Sequence, residues 1–224
     1  MTSKITSPEE ETEHMEDCIT IQGATIIEDC QKKLAKFCRD DASYEGYDKK
    51  KVNEDNWLTK EDIQLANFMG ARMGPSVIQS VVDRTKTINL ALEHVPAGLE
   101  LSDNGVPWVA LENLFRAALG PHIRAARATK ILHKKRPHLI PILDSVVVSY
   151  CQSVNRHSDR DEASMMVECV RTIKTDIERN LDTFRRLIAT TNLKITVVRA
   201  HDILVWAYSG EYQNKFGIPP LWQR

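Results

Sequence analysis

ATKILHKKRPHLIPILDSVVVSY, residues 128–150, decides how the chain is read. Ile131 and Leu132 sit among Lys130, His133, Lys134, Lys135 and Arg136 with no acidic residue between them, the pattern of a basic helix. Pro137 and Pro141 end that helix and bracket an irregular link. Asp144 or Ser145 then caps a further helix, VVVSYCQSV. The β-branched residues at 146–148 and 195–198 also suit strands, but the longer pattern repeats about every 3.6 residues, as a helix does. Helix, link and helix make the expected fold class all-α.

Working outward, Gly120-Pro121 makes a tight turn before the basic helix, which spans Arg124 to about Lys135. Pro107 starts the preceding helix through Trp108, Leu111, Leu114, Phe115 and Leu119. Upstream, Thr59 with Asp62 forms an acidic variant of the capping box, and Pro75 opens a helix carrying Val77, Ile78, Val81, Val82, Ile88 and Leu92. The spacing predicts an amphipathic helix over Ala24 to Cys38 and a polar loop over 39–56. Asp161 to Thr190 reads as one or two helices, and VVRAHDILVWAYS after Thr196 as the last. Residues 1–18 read as an acidic flexible tail. Residues 19–224 read as one all-helical domain, with the basic hairpin-helix and its link inside 108–157.

A hydrophobic share of 42% with 27% charged residues fits an ordinary globular chain, and the net charge of −1 gives no overall attraction for nucleic acid or membrane. That neutrality hides segregation. PEEETEHMED (8–17) is strongly acidic, whereas Asn113 to Leu143 contains no Asp or Glu. The basic block is either a solvated helix face or a local footprint for DNA, with Arg124, Arg127, Lys130, Lys134, Lys135, Arg136 and His122 as its contacts. Five cysteines without CxxC spacing read as reduced, mostly buried thiols and not as a zinc site or a disulfide frame. No signal peptide is visible and no apolar run approaches the roughly 20 residues of a membrane span, so a cytoplasmic location is expected.

Helix, Gly120-Pro121 turn, basic helix and Pro141-Ile142-Leu143-Asp144 opening another helix resemble the helix-hairpin-helix superfamily of DNA glycosylases. Adenine DNA glycosylase and endonuclease III belong to that superfamily, and Ile131-Leu132 through Asp144 looks most like the adenine glycosylase pattern. The chain also looks like an uncharacterised bacterial family with KRPxLxPxxD and a later RxxDxxxW, here Lys135 to Asp144 and Arg199, Asp202 and Trp206. The resemblance implies a helical bundle with a central cleft, a catalytic aspartate at Asp144, and double-stranded DNA with a flipped, modified base as partner. Antiviral glycosylases that remove bulky modified bases, such as glucosylated cytosines, are the nearest functional analogy.

The chain also departs from the pattern. The hairpin reads LGPHIRAARA where the superfamily has LPGxGxxTA, which shifts expected phosphate capture towards the charges of Arg124 and Arg127. The lysine used by bifunctional members falls at Ala126, so lysine-dependent lyase activity is not expected from that position. The cysteines that hold an iron–sulfur cluster in some members are absent from the C-terminal part.

Cleaving an N-glycosidic bond develops positive charge on the sugar, which a carboxylate stabilises while orienting water. That chemistry needs one placed aspartate and neither metal nor cofactor. The plain alternative for Asp144 is helix capping. Arg199 and Asp202, three apart, form either a local ion pair beside a packed Trp206 or a second carboxylate of the site. Trp57 and Trp108 are candidate stacking residues or core. The leading expectation is a monofunctional DNA N-glycosylase; the others are a non-catalytic DNA-binding module and a helical protein-interaction partner.

Overall fold

A computed structural model of the chain describes residues 17–22, 24–50, 56–154, 161–191 and 193–216. The fold is all-α. The acidic stretch 8–17 lies almost wholly outside the described residues, and Asp17 alone of it is seen, its carboxylate accepting the Gln31 amide.

The organising element is a 30-residue helix, Glu162–Thr191. Met166, Val170, Ile173, Ile177, Asn180, Phe184 and Leu187 recur at alternating spacings of four and three, so one buried stripe runs its length. It packs against the last helix, Val197–Phe216, and against helices Trp108–Ala118, Ser145–Val154 and Cys30–Asp40. In chain order the helices are α1 (Cys30–Asp40), α2 (Lys60–Leu65), α3 (Pro75–Val82), α4 (Thr85–Leu92), α5 (Trp108–Ala118), α6 (Ala125–Leu132), α7 (Ser145–Val154), α8 (Glu162–Thr191) and α9 (Val197–Phe216).

The expected starts hold. Thr59 accepts the Asp62 amide while Asp62 accepts the Thr59 amide, a complete capping box on α2. Pro75 opens α3, and Pro107 precedes α5. The helix expected to run on from Pro75 is broken after Val82, with α4 beginning at Thr85. Residues 39–56, expected as loop, contain a π-helical turn at Tyr44–Asp48. The helix expected from Ala24 is a correction: Thr25–Ile27 is a strand (β2) paired antiparallel with Ile19–Ile21 (β1), and α1 starts only at Cys30.

The reason for that strand lies far away in sequence. Asn180 of α8 accepts the Thr20 amide and donates to the Thr20 carbonyl, and Asp176 accepts the Gln22 amide. Asn180 also donates to the Asp176 carbonyl and leaves helical geometry (φ −117, ψ 16), which kinks α8 where the hairpin docks. Three of the five free cysteines, Cys30, Cys151 and Cys169, are buried, and burial pushes the Cys30 thiol up to about 12. Among the described residues no helix is long and apolar enough to cross a membrane.

Candidate active-site cleft

The turn before α6 closes with two backbone hydrogen bonds between Gly120 and Ile123, 3.1 and 2.9 Å. Pro121 and the positive φ of His122 (61°) give it the pattern of a type II turn. A Cβ at Gly120 would lie 2.6 Å from the Arg84 guanidinium, so a side chain here would displace the group that caps the end of α5 through the Ala117, Ala118 and Leu119 carbonyls. At the start of α6 the free amide of Ala125 donates to Glu162 Oε1 (2.9 Å), while Arg124 Nε meets Oε2 at 2.7 Å. A carboxylate of the chain itself thus occupies the anion position at this helix end.

The link after α6 is buried, and side chains satisfy its backbone. Leu139, Ile140, Ile142 and Leu143 are buried. His133 Nδ1 donates to the Ile140 carbonyl at 2.6 Å, the Ile142 amide donates to Asp202 Oδ2 at 2.8 Å, and the Leu143 amide donates to Thr129 Oγ1 at 3.0 Å. The link is therefore fastened to α6 on one side and α9 on the other, immediately before Asp144.

Asp144 divides its two oxygens. Oδ1 accepts the Val146 and Val147 amides at 2.9 and 3.0 Å, so the residue caps α7. Oδ2 has no hydrogen-bond partner among the described residues and is not buried, and Asp144 lines a cleft of about 530 Å³. The cap and the candidate site are the same side chain.

Around Asp144 the cleft gathers Lys130 from α6, Arg72 and Phe68 from the segment before α3, Phe37 from α1, and Arg199, Asp202 and Trp206 from α9. Arg199 does not pair with Asp202; its guanidinium grips Asp48 at 3.0 and 3.1 Å and lies over the Phe37 ring. Asp202 is buried, with Oδ2 on the link and Oδ1 without a partner among the described residues. Burial pushes its carboxyl well above the ordinary range; Arg199 and the Ile142 amide oppose the rise, and Asp144 and Asp48 add to it. Lys130 is half-buried and its ammonium has neither hydrogen bond nor ion pair among the described residues. Burial lowers its pKa, Asp144 opposes the change, and Arg199 and Arg72 add to it.

Two aromatic rings stand at the rim. Phe68 is 61% exposed with its inner face against Gly46, where an added Cβ would lie 2.8 Å from the ring. Trp206 is 49% exposed and meets Phe37 edge-on at 6.5 Å. Arg72 is exposed and holds a positive φ (50°), fixed by Arg127, which donates to the Ala71 and Arg72 carbonyls.

The expected basic face needs correction. Lys135 and Arg136 are buried and withdrawn from any surface: Lys135 pairs with Asp62 at 2.6 Å, and Arg136 donates to the Leu92, Val95 and Lys135 carbonyls and to Asn56. Lys134 donates to the Asp48 and Lys50 carbonyls and covers the Tyr47 ring. Arg127 serves the backbone as described, and Arg124 meets Glu162 while remaining largely exposed. His122 is exposed in the turn, away from the cleft lining.

Neither Trp57 nor Trp108 reaches the cleft. Trp57 is exposed elsewhere, and Trp108 packs on the core beneath the Arg171 guanidinium, 4.0 Å from its ring centre. Phe37, Phe68 and Arg72 were not singled out from sequence. The sequence signal for Arg72 is the pair of glycines around it, Gly70 and Gly74, which mark a break between helices.

The chain belongs to a family described as a family of unknown function (DUF6308), which matches residues 35–209 and so takes in every cleft residue named above. No curated protein and no solved structure matches it.

Proposed function

We propose that the chain is a DNA N-glycosylase that hydrolyses the bond between deoxyribose and a flipped, modified base. The observation that carries this reading is the divided role of Asp144: one oxygen fixes the side chain on the α7 N-terminus and the other is free in the cleft. A carboxylate so held can face the cation that develops at the sugar and orient the attacking water, without first having to be ordered. The exposed rings of Phe68 and Trp206 supply stacking surfaces for an unstacked base, and Arg72 and Lys130 supply positive charge beside them. The phosphate-binding role expected of the hairpin helix passes to these rim cations, because Glu162 already fills its N-terminus.

The test is base release from a panel of duplexes: undamaged, uracil-containing, alkylated, and hypermodified phage DNA carrying enlarged cytosines. Abasic sites are scored by alkali cleavage, with Asp144→Asn alongside. Asparagine still caps a helix, so the variant should fold with a stability change of a few tenths of a kcal/mol and release no base. Full activity in the variant, or salt-sensitive binding with no abasic sites on any DNA, would return Asp144 to a cap and leave a DNA-binding module.

A further inference from the structure

We infer that the groove between α1 and α9 holds the base next to the flipped one, so that the chain takes a strand in which two consecutive nucleotides are unstacked. The inference rests on reading the cleft as a DNA site. It goes beyond that reading by naming the substrate class, a strand already unpaired beside the reacting nucleotide.

The groove, about 310 Å³, adjoins the cleft and shares three of its walls, Phe37, Asp41 and Trp206. Trp206 is 49% exposed and borders both hollows, so a strand that leaves the cleft past this ring enters the groove. Beyond the ring, α9 contributes only Ala207 and Gly210, and a Cβ at Gly210 would meet nothing within 4 Å. The volume falls at the lower end of the roughly 300–1,000 Å³ of small-molecule sites. An open slot beside an exposed indole suits a flat ring stacked on that indole.

Charge selects a nucleotide over an apolar peptide. Lys33, Lys36, Asp40 and Asp41 line the groove, and three of them are committed within the chain. The Lys33 ammonium donates to the Glu28 carbonyl at 2.6 Å, and Asp40 accepts two hydrogen bonds from Arg39 at 2.7 and 3.1 Å. Asp41 accepts the Ser43 amide and hydroxyl at 2.7 and 2.5 Å. Lys36 is exposed and has neither hydrogen bond nor ion pair among the described residues. Asp40, one turn on, is held below its ordinary range first by Arg39 and least by Lys36. One uncommitted cation beside an aromatic slot matches a base with its phosphate. Continuity with the cleft fixes which base: the neighbouring nucleotide is tethered to the flipped one and meets the groove at high effective concentration.

Three duplexes of one sequence test this without any base release. The first carries one unpaired nucleotide, the second carries two in succession, and the third replaces the added nucleotide by an abasic residue. The added position is placed 5′ or 3′ in separate sets, and binding is measured by fluorescence anisotropy at fixed salt. The second unpaired base should tighten binding about tenfold, and the abasic residue should give none of that gain. In Gly210→Leu, whose side chain fills the slot, the ratio between the first two duplexes should fall to about one, with circular dichroism reporting folding. No gain on either side, a gain that survives the abasic residue, or an unchanged ratio in folded Gly210→Leu overturns the groove assignment and leaves the cleft reading intact. Equal binding of the duplexes by a dimer that Gly210→Leu disperses in light scattering gives the groove to a second copy and overturns it likewise. No binding of any duplex at low salt by folded wild type overturns both.

Discussion

The far end and the middle of the basic segment use positive charge in opposite ways. At its far end Lys134, Lys135 and Arg136 turn inward and spend their donors on the chain's own carbonyls and on Asp62. In its middle Lys130 faces the cleft with no partner among the described residues, and nearby Arg72, from another part of the chain, is exposed at the rim. In sequence the segment is one uniform block, and only the location of acceptors divides it. Arg136 shows this best: it donates to the Val95 carbonyl just past α4 and shares the Leu92 carbonyl with the Val95 amide, at a helix end where a cation also suits the dipole. Charge density in a sequence therefore measures how many donors exist, while the fold decides how many remain for a partner.

The largest expected effect tests the inward end. Arg136→Met leaves at least two buried carbonyls without donors and should cost about 3 kcal/mol or more in urea unfolding. A change below about 1 kcal/mol would mean that water or neighbouring groups replace Arg136 and that the contrast is weaker than described.

Such inward ties were not legible because the acceptors lie 41 and 44 residues away. The strand at Thr25–Ile27 was missed for a like reason, since its neighbour β1 is docked by Asn180 and Asp176 of α8. Local signals fared better. The Thr59–Asp62 box, the proline starts, the start of α9 and the capping role of Asp144 all depend on residues within one or two turns. The site divides in the same way: Arg199, Asp202 and Trp206 share one helix and were found together, whereas Phe37, Phe68 and Arg72 come from separate elements and carry no common spacing.

A second test concerns His133, buried between the basic helix and the link. Burial holds its pKa down at about 3, against the pull of the Ile140 carbonyl, so the ring is neutral in the folded chain. A depressed folded value means that its contribution to stability is complete above the unfolded histidine range, near 6.5, and is lost progressively as pH falls towards 3. Unfolding free energy should fall between pH 7 and pH 4, and His133→Asn should flatten that decline. An unchanged slope in the variant would place the acid sensitivity elsewhere.

The outward region gives smaller effects. Phe68→Ala and Trp206→Ala should each weaken binding of DNA with an unstacked base by about 1–3 kcal/mol, measured by fluorescence anisotropy at fixed salt, with little change in stability. The finest discrimination comes from ionic strength. Arg72→Ala and Lys130→Ala should each lower the salt slope of DNA binding by about one, while any folded substitution at Lys135 or Arg136 should leave it unchanged. Equal slopes for all four would erase the distinction between the outward and the inward charges.

Asp202 and Trp206 stand one turn apart on α9, and Asp202 holds the Ile142 amide two residues before Asp144. The last helix thus carries an aromatic plate at one point and the fastening of the Asp144 link at another. Under the proposed function, a base stacked on Trp206 would press on the helix that also fastens the link, so recognition and alignment would share one mechanical part.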